Sequence, residues 1–172
     1  MKIRKSLAAL GLVAVLATTA ACSADSGTAA GNGAMAGGPN AVDVSSVSTE
    51  EELVALIQEA YGDAGLGLHR GHEPVQDVLD AVLTISHEEL HVRMEEQGQN
   101  LAAVATDLGV DPQTLVDAMV EAWSPAIDTL LENGTITQEE ADAYRAALEE
   151  AFTFRVTWDG TTATPTFSGL DA

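Results

Sequence analysis

Three hexapeptides in this chain open in the same way: Ile85-Ser86-His87-Glu88-Glu89-Leu90, Val110-Asp111-Pro112-Gln113-Thr114-Leu115 and Ile136-Thr137-Gln138-Glu139-Glu140-Ala141. Each begins with an aliphatic residue, continues with Ser, Asp or Thr, and places an apolar residue four positions after that. This is the layout of a helix N-cap with its hydrophobic staple. The first N–H groups of a helix have no partner within the helix, and the capping oxygen accepts from one of them. Glu89 and Glu140 fall at the third helical position, so both starts are expected to form capping boxes. The caps lie 25 and 26 residues apart, which limits each unit to one or two short helices. Helices of that length are marginal alone in water, so they must pack together.

The apolar spacing agrees with the caps. From Ser48 onward it follows the helical period. Leu53, Leu56, Ile57 and Ala60 share one face, as do Val75, Val78, Leu79 and Val82 after Pro74. Leu101, Val104, Ala105 and Leu108 form a third stripe, which Gly109 ends. Leu115, Met119, Trp123, Ile127 and Leu130 form a fourth, in which Pro125 is expected to kink or split the helix. Ala141, Tyr144, Leu148 and Phe152 form a fifth. Aromatic residues make up only 4% of the chain, which also disfavours sheets. The fold class expected is all-α, a small bundle of five or six short helices in which the capped starts suggest repeated units. The segment from Phe152 can be read as a hairpin turning at Asp159-Gly160. The preferred reading is a helix to about Val156 and a loose tail over 157–172.

The N-terminus reads as an address. Lys2, Arg4 and Lys5 precede an apolar run from Leu7 to Ala17 and then small residues, the anatomy of a secretory signal peptide over 1–21. Cys22, the one cysteine in the chain, follows Thr19-Ala20-Ala21. This resembles the lipobox of bacterial lipoproteins, with Thr19 where an aliphatic residue is usual. The resemblance implies that Cys22 carries a diacylglycerol and that the protein sits on the extracytoplasmic face of the cytoplasmic membrane. Residues 22–47 are rich in Gly, Ala and Ser and read as a flexible tether. A helical domain is then expected over 48–156.

Residues 83–152 resemble a group of exported helical proteins of high-GC and other Gram-positive bacteria. The matching stretches are Leu83–Leu90, Asn100–Val110 and Gly134–Asp142. Asn100 stands where that group usually has Ser, and Ser124-Pro125 interrupts a stretch it usually keeps helical. Typical members carry other residues at positions 87 and 91. The resemblance implies an exported α-helical fold and supplies no mechanism, because the group has no established activity.

Charge narrows the partners. From Cys22 onward there are 27 acidic residues, four arginines and no lysine, a net charge of −23. Such a surface repels nucleic acid and anionic lipid heads and attracts cations or basic proteins. The helix–Gly–helix stretch over 101–122 has helix-turn-helix spacing. No Lys or Arg occurs between Asn100 and Ala143, so it is read as a packing hairpin and not as a DNA reader.

His87-Glu88-Glu89-Leu90-His91 matches H-E-x-x-H, the zinc helix of many metalloproteases. Beside the other two capped starts, however, His87 and Glu88 occupy the free positions after a cap. Glu89 and Arg93 also put charge where the longer zincin pattern is apolar or uncharged. A narrower metal question remains. All four histidines (His69, His72, His87, His91) fall within 23 residues, and His87 and His91 lie one helical turn apart. Together they form a candidate site for zinc, copper or nickel. The competing reading makes His87 and His91 boundary residues and leaves His69 and His72 exposed in a Gly-rich loop. No nucleophile elbow, phosphate-binding Gly loop or catalytic cysteine occurs in the folded part. The expected function is therefore a noncatalytic binding or accessory role for a membrane-anchored lipoprotein. Metal binding through the histidines is the first alternative, and a small zinc hydrolase the second.

Overall fold

The computed structural model describes residues 42–170, and these are all-helical, with no strand among them. The signal peptide, Cys22 and most of the tether lie outside the described residues. Six α-helices follow in order: α1 Glu50–Ala60, α2 Gln76–Leu83, α3 His87–His91, α4 Leu101–Asp107, α5 Pro112–Glu132 and α6 Gln138–Thr157. A π-helical turn, Val92–Glu96, continues α3 directly.

The folded part begins before Ser48, where the tether was expected to end. Val44–Ser46 form a short 3-10 turn capped by Asp43, and Val47 is buried. Val42 and Val44 pack against the same core.

The caps have the chemistry the sequence implies, with one difference. Thr137 accepts from the Glu140 backbone N–H, and the Glu140 carboxylate accepts from the Thr137 backbone N–H, a complete capping box. Ser86 and Asp111 cap α3 and α5 through Glu89 N–H and Gln113 N–H. At α3, however, no capping box forms. Arg93 lies one turn on and donates to Glu89 Oε1 at 2.8 Å, so the carboxylate faces along the helix. A second capping box, Thr49 with Glu52, starts α1.

α5 runs through Pro125 as one 21-residue helix, so of the two expected outcomes, a kink or a split, the split does not occur. Proline removes one donor from the helix. Pro125 and Glu121, whose carbonyl loses that donor, are both on the exposed face. Nearby, the Ser124 hydroxyl donates to Val120 O at 2.7 Å. The missing bond thus falls where water can replace it.

α5 and α6 form the central hairpin. Trp123 and Phe152 meet edge to face across it, with ring centroids 4.9 Å apart. Leu53, Ile57, Leu115, Met119, Ile127, Tyr144 and Leu148 are buried around them. α6 continues to Thr157, so no hairpin forms from Phe152. The tail instead meets α1 through Pro165, Phe167 and Gly169. Gln58 donates from Nε2 to Pro165 O (3.3 Å) and accepts from Phe167 N–H (2.7 Å).

Two buried arginines close the C-terminal end of α1. Arg155, on the apolar stripe of α6, donates to Glu59 O, Ala60 O and Gly71 O at 2.9–3.0 Å. Arg70 donates to Tyr61 O (2.9 Å), Gly62 O (3.2 Å) and Thr164 Oγ1 (2.7 Å). Its guanidinium carbon lies 4.2 Å from the Trp158 ring centroid. Helix C-terminal carbonyls have no donor of their own and carry partial negative charge, so a cation there is favourable. Burial lowers Arg155 to about 10, which leaves it charged at neutral pH. Gly62 is required between them, because its φ is +78° and a Cβ would lie 2.6 Å from Arg70 O.

These contacts set a stability order for urea unfolding. Thr137→Ala costs about 1 kcal/mol, the usual value of a lost N-cap. Arg155→Met removes the Arg155 donors from Ala60 O and Gly71 O, while Glu59 O keeps the Gly62 N–H, and costs about 3 kcal/mol. An Arg155→Met protein as stable as Thr137→Ala would show that the carbonyls find other partners.

Candidate metal site: four imidazoles between a loop and a helix

The loop between α1 and α2 carries His69 and His72. Ala64–His69 form a 3-10 turn, after which Arg70 (φ 43°) and Gly71 (φ 64°) both adopt the left-handed conformation. An L-residue in that region is strained by roughly 1–2 kcal/mol. Here the buried Arg70 side chain and the Arg155–Gly71 bond hold it in place. The reversal turns His69 and His72 toward each other, with ring centroids 4.0 Å apart.

α3 supplies the other pair. His87 is its first residue and His91 its last, so one turn separates them on one face. The two pairs meet. His69 Nε2 lies 3.3 Å from His91 Nε2, and His72 Nδ1 lies 3.4 Å from His69 Nδ1. His72 Nε2 is 3.2 Å from His87 Nδ1, and His87 Nε2 is 3.1 Å from His91 Nε2. His69, His72 and His91 can each offer a nitrogen within 4.8 Å of the other two. The structure thus brings together all four candidate histidines, and the expectation that His69 and His72 are simply exposed is overturned. His72 is 4% exposed, and the His69 side chain is 14% exposed.

Two outer contacts orient the α3 pair. Gln76 donates from Nε2 to Asp80, which aims its Oε1 at His87 Nδ1, 3.0 Å away. Glu95, in the π-helical turn, places Oε1 3.0 Å from His91 Nδ1. Both oxygens accept, so both Nδ1 atoms carry the proton. The Nε2 atoms of His87 and His91 then present lone pairs to each other at 3.1 Å. Four neutral imidazoles hold four protons and cannot satisfy every contact in this cluster. A cation belongs between the two Nε2 atoms, either an added proton or a metal ion.

The inner pair resists protonation. Burial, and after it the neighbouring His69, His87 and His91, hold His72 down at about 3. Burial, and after it His91, also lower His69, while Glu95 acts in the opposite direction. The inner rings therefore stay neutral, the form in which imidazole binds metal. At a metal–nitrogen distance of about 2.0–2.1 Å, tetrahedral nitrogens lie roughly 3.3–3.4 Å apart. The two contacts between Nε2 atoms, His69–His91 and His87–His91, are 3.3 and 3.1 Å, whereas His72 reaches His69 and His87 at their Nδ1 atoms.

Sequence reasoning missed Gln76, Glu95 and Arg155 as supports of the site. Glu95 follows His91 by four residues and extends the His87–His91 register by one more turn, which was a readable signal. Arg155 interrupts an apolar stripe, the mark of a buried cation. Gln76 left no signal, because its role depends on how α2 packs against α3.

No protein-family model matches the chain, and neither does any curated protein or solved structure.

The inner histidines give the metal-free protein a defined pH response. Their folded pKa values lie below that of an unfolded histidine, so between about 6.5 and 3 the unfolded chain binds more protons. In chelator-treated protein, stability is expected to be full above about pH 6.5 and to fall as the pH drops. Denaturant titrations between pH 7 and 5, above the main carboxylate range, read this, and His72→Leu should flatten the decline.

Proposed function

We propose that this protein is an exported, lipid-anchored metal-binding protein. In this reading it holds one divalent transition-metal ion of the zinc class between His69, His72, His87 and His91. The observation that carries the reading is the pair of Nε2 lone pairs facing each other at 3.1 Å, each fixed by an acceptor behind its ring. A metal-bound histidine usually has such an oxygen acceptor on its second nitrogen, where it fixes the tautomer and ring orientation. The two neutral, mostly buried rings of His69 and His72 supply further donors. An all-imidazole set suits zinc, copper or nickel, and Nε2 spacings of 3.1 and 3.3 Å fit the edges of a tetrahedral zinc site.

The charge of the domain supports the same reading. Arg70 and Arg155 are buried, and Arg93 and Arg145 are paired with Glu89, Asp128 and Asp142. The surface field is therefore strongly anionic, which concentrates cations and repels nucleic acid. No helix among the described residues is long and apolar enough to cross a membrane. Membrane attachment in this reading rests on Cys22 and the leader that precedes it.

Hydrolysis fits the geometry less well. Four imidazoles fill a tetrahedral ion and leave no open position for water. Glu88, the base of a zincin reading, is exposed in the first turn of α3.

The test is elemental analysis of the mature protein, purified without a His tag and dialysed after incubation with zinc, copper or nickel. One ion per chain is expected, with zinc retained, and His72→Ala and His91→Ala should each abolish retention. At free zinc about 100 times Kd, the melting temperature should rise by about 10 °C. A wild-type protein that retains no ion ends the reading. Anchoring has a separate test: Cys22→Ala should appear in the medium, and a variant that stays with the membrane fraction counts against a lipid anchor.

A further inference from the structure

The four rings are not equally accessible, and their order gives the cluster an inside and an outside. His72 is innermost at 4% exposure. The side chains of His69 and His91 follow at 14% and 31%. His87, the first residue of α3, is exposed. The same order holds for mechanical support. His69 and His72 sit on either side of a chain reversal pinned by two buried guanidinium groups. His91 lies at the junction of α3 with the π-helical turn, beside the buried Leu90 and Met94. His87 has solvent on its outer side and is steadied by Gln76, itself only partly buried.

From this gradient we propose that the metal ion is an exchangeable cargo, that it enters and leaves past His87, and that His87 is the ligand a competing donor displaces. This rests on the metal-binding reading above and specifies how that site works. His69, His72 and His91 form a fixed three-nitrogen cradle, whose nitrogens lie within 4.8 Å of one another. His87 completes the set from the solvent side. An incoming nitrogen or sulfur ligand can take the His87 position while the other three still hold the ion, so exchange needs no unfolding. Glu95 stands on the same rim, half-exposed and 3.9 Å from His69 Nε2, where its negative charge favours a cation in transit. A closed structural site would bury all four ligands and release its ion only when the fold opens.

Stopped-flow mixing of the zinc-loaded mature protein with the chromophoric chelator 4-(2-pyridylazo)resorcinol tests this. Wild-type release is expected to rise with chelator concentration, because the chelator attacks the bound ion. His87→Ala is expected to keep one zinc per chain, with weaker affinity and faster transfer than the wild type. Added free imidazole should slow transfer from His87→Ala by filling the empty position, and should leave the wild type unchanged. His72→Ala should retain no zinc. A wild-type rate independent of chelator concentration would overturn the proposal, since opening of the fold would then control release. Loss of zinc in His87→Ala as complete as in His72→Ala would overturn it as well, while leaving metal binding itself intact. If the wild type binds no zinc, the metal-binding reading falls and this proposal with it.

Discussion

The contact on which the rest of the structure depends is made by two guanidinium groups at the C-terminal end of α1. Arg155 and Arg70 donate to four successive carbonyls, Glu59, Ala60, Tyr61 and Gly62, at a helix end that runs short of donors; Glu59 O also accepts from the Gly62 N–H. Arg155 also reaches Gly71 O, and Arg70 reaches Thr164 Oγ1. One buried charged layer therefore joins α1, the His69–His72 loop, α6 and the C-terminal tail. Burying two cations without a carboxylate in contact is costly. The aligned carbonyl dipoles and the Trp158 ring offset that cost.

The local chemistry of the candidate site follows from this layer. The left-handed pair Arg70–Gly71 persists because the Arg70 side chain and the Gly71 carbonyl are both bound inside the fold. The chain reverses there, and two imidazoles that would otherwise point into solvent are turned onto α3. α3 needs less help, because helical geometry alone stacks His87 above His91. A rigid loop thus faces a short helix across a cluster of basic nitrogens. Gln76 and Glu95 decide which nitrogens are left to face each other.

Much of the fold was legible because its determinants are local. Apolar residues at helical spacing, capping residues and glycine stops mark α1, α4, α5 and α6 closely. The Thr49–Glu52 capping box was equally readable and was overlooked. Whether Pro125 would split α5 was not legible, because its effect depends on which face of the helix is wet, a property of packing rather than of spacing. Glu89 was assigned to a capping box, yet Arg93 one turn on competes for the same carboxylate. The candidate site was legible as four clustered histidines, two of them one helical turn apart. That four of them converge depends on a turn between His69 and His72. The turn is stabilised by a residue more than 80 positions away, and sequence spacing carries no trace of that separation.

The donor set at the cluster contains nitrogen and oxygen only. Among residues 42–170 there is no cysteine, so no thiol stands where peroxide or disulfide exchange could dismantle the site. Thiolate sites lose their ligands by oxidation, whereas imidazole has no comparable ladder under mild oxidants. The four-histidine arrangement is thus indifferent to redox poise, and the same ligands persist in a reducing or an oxidising compartment.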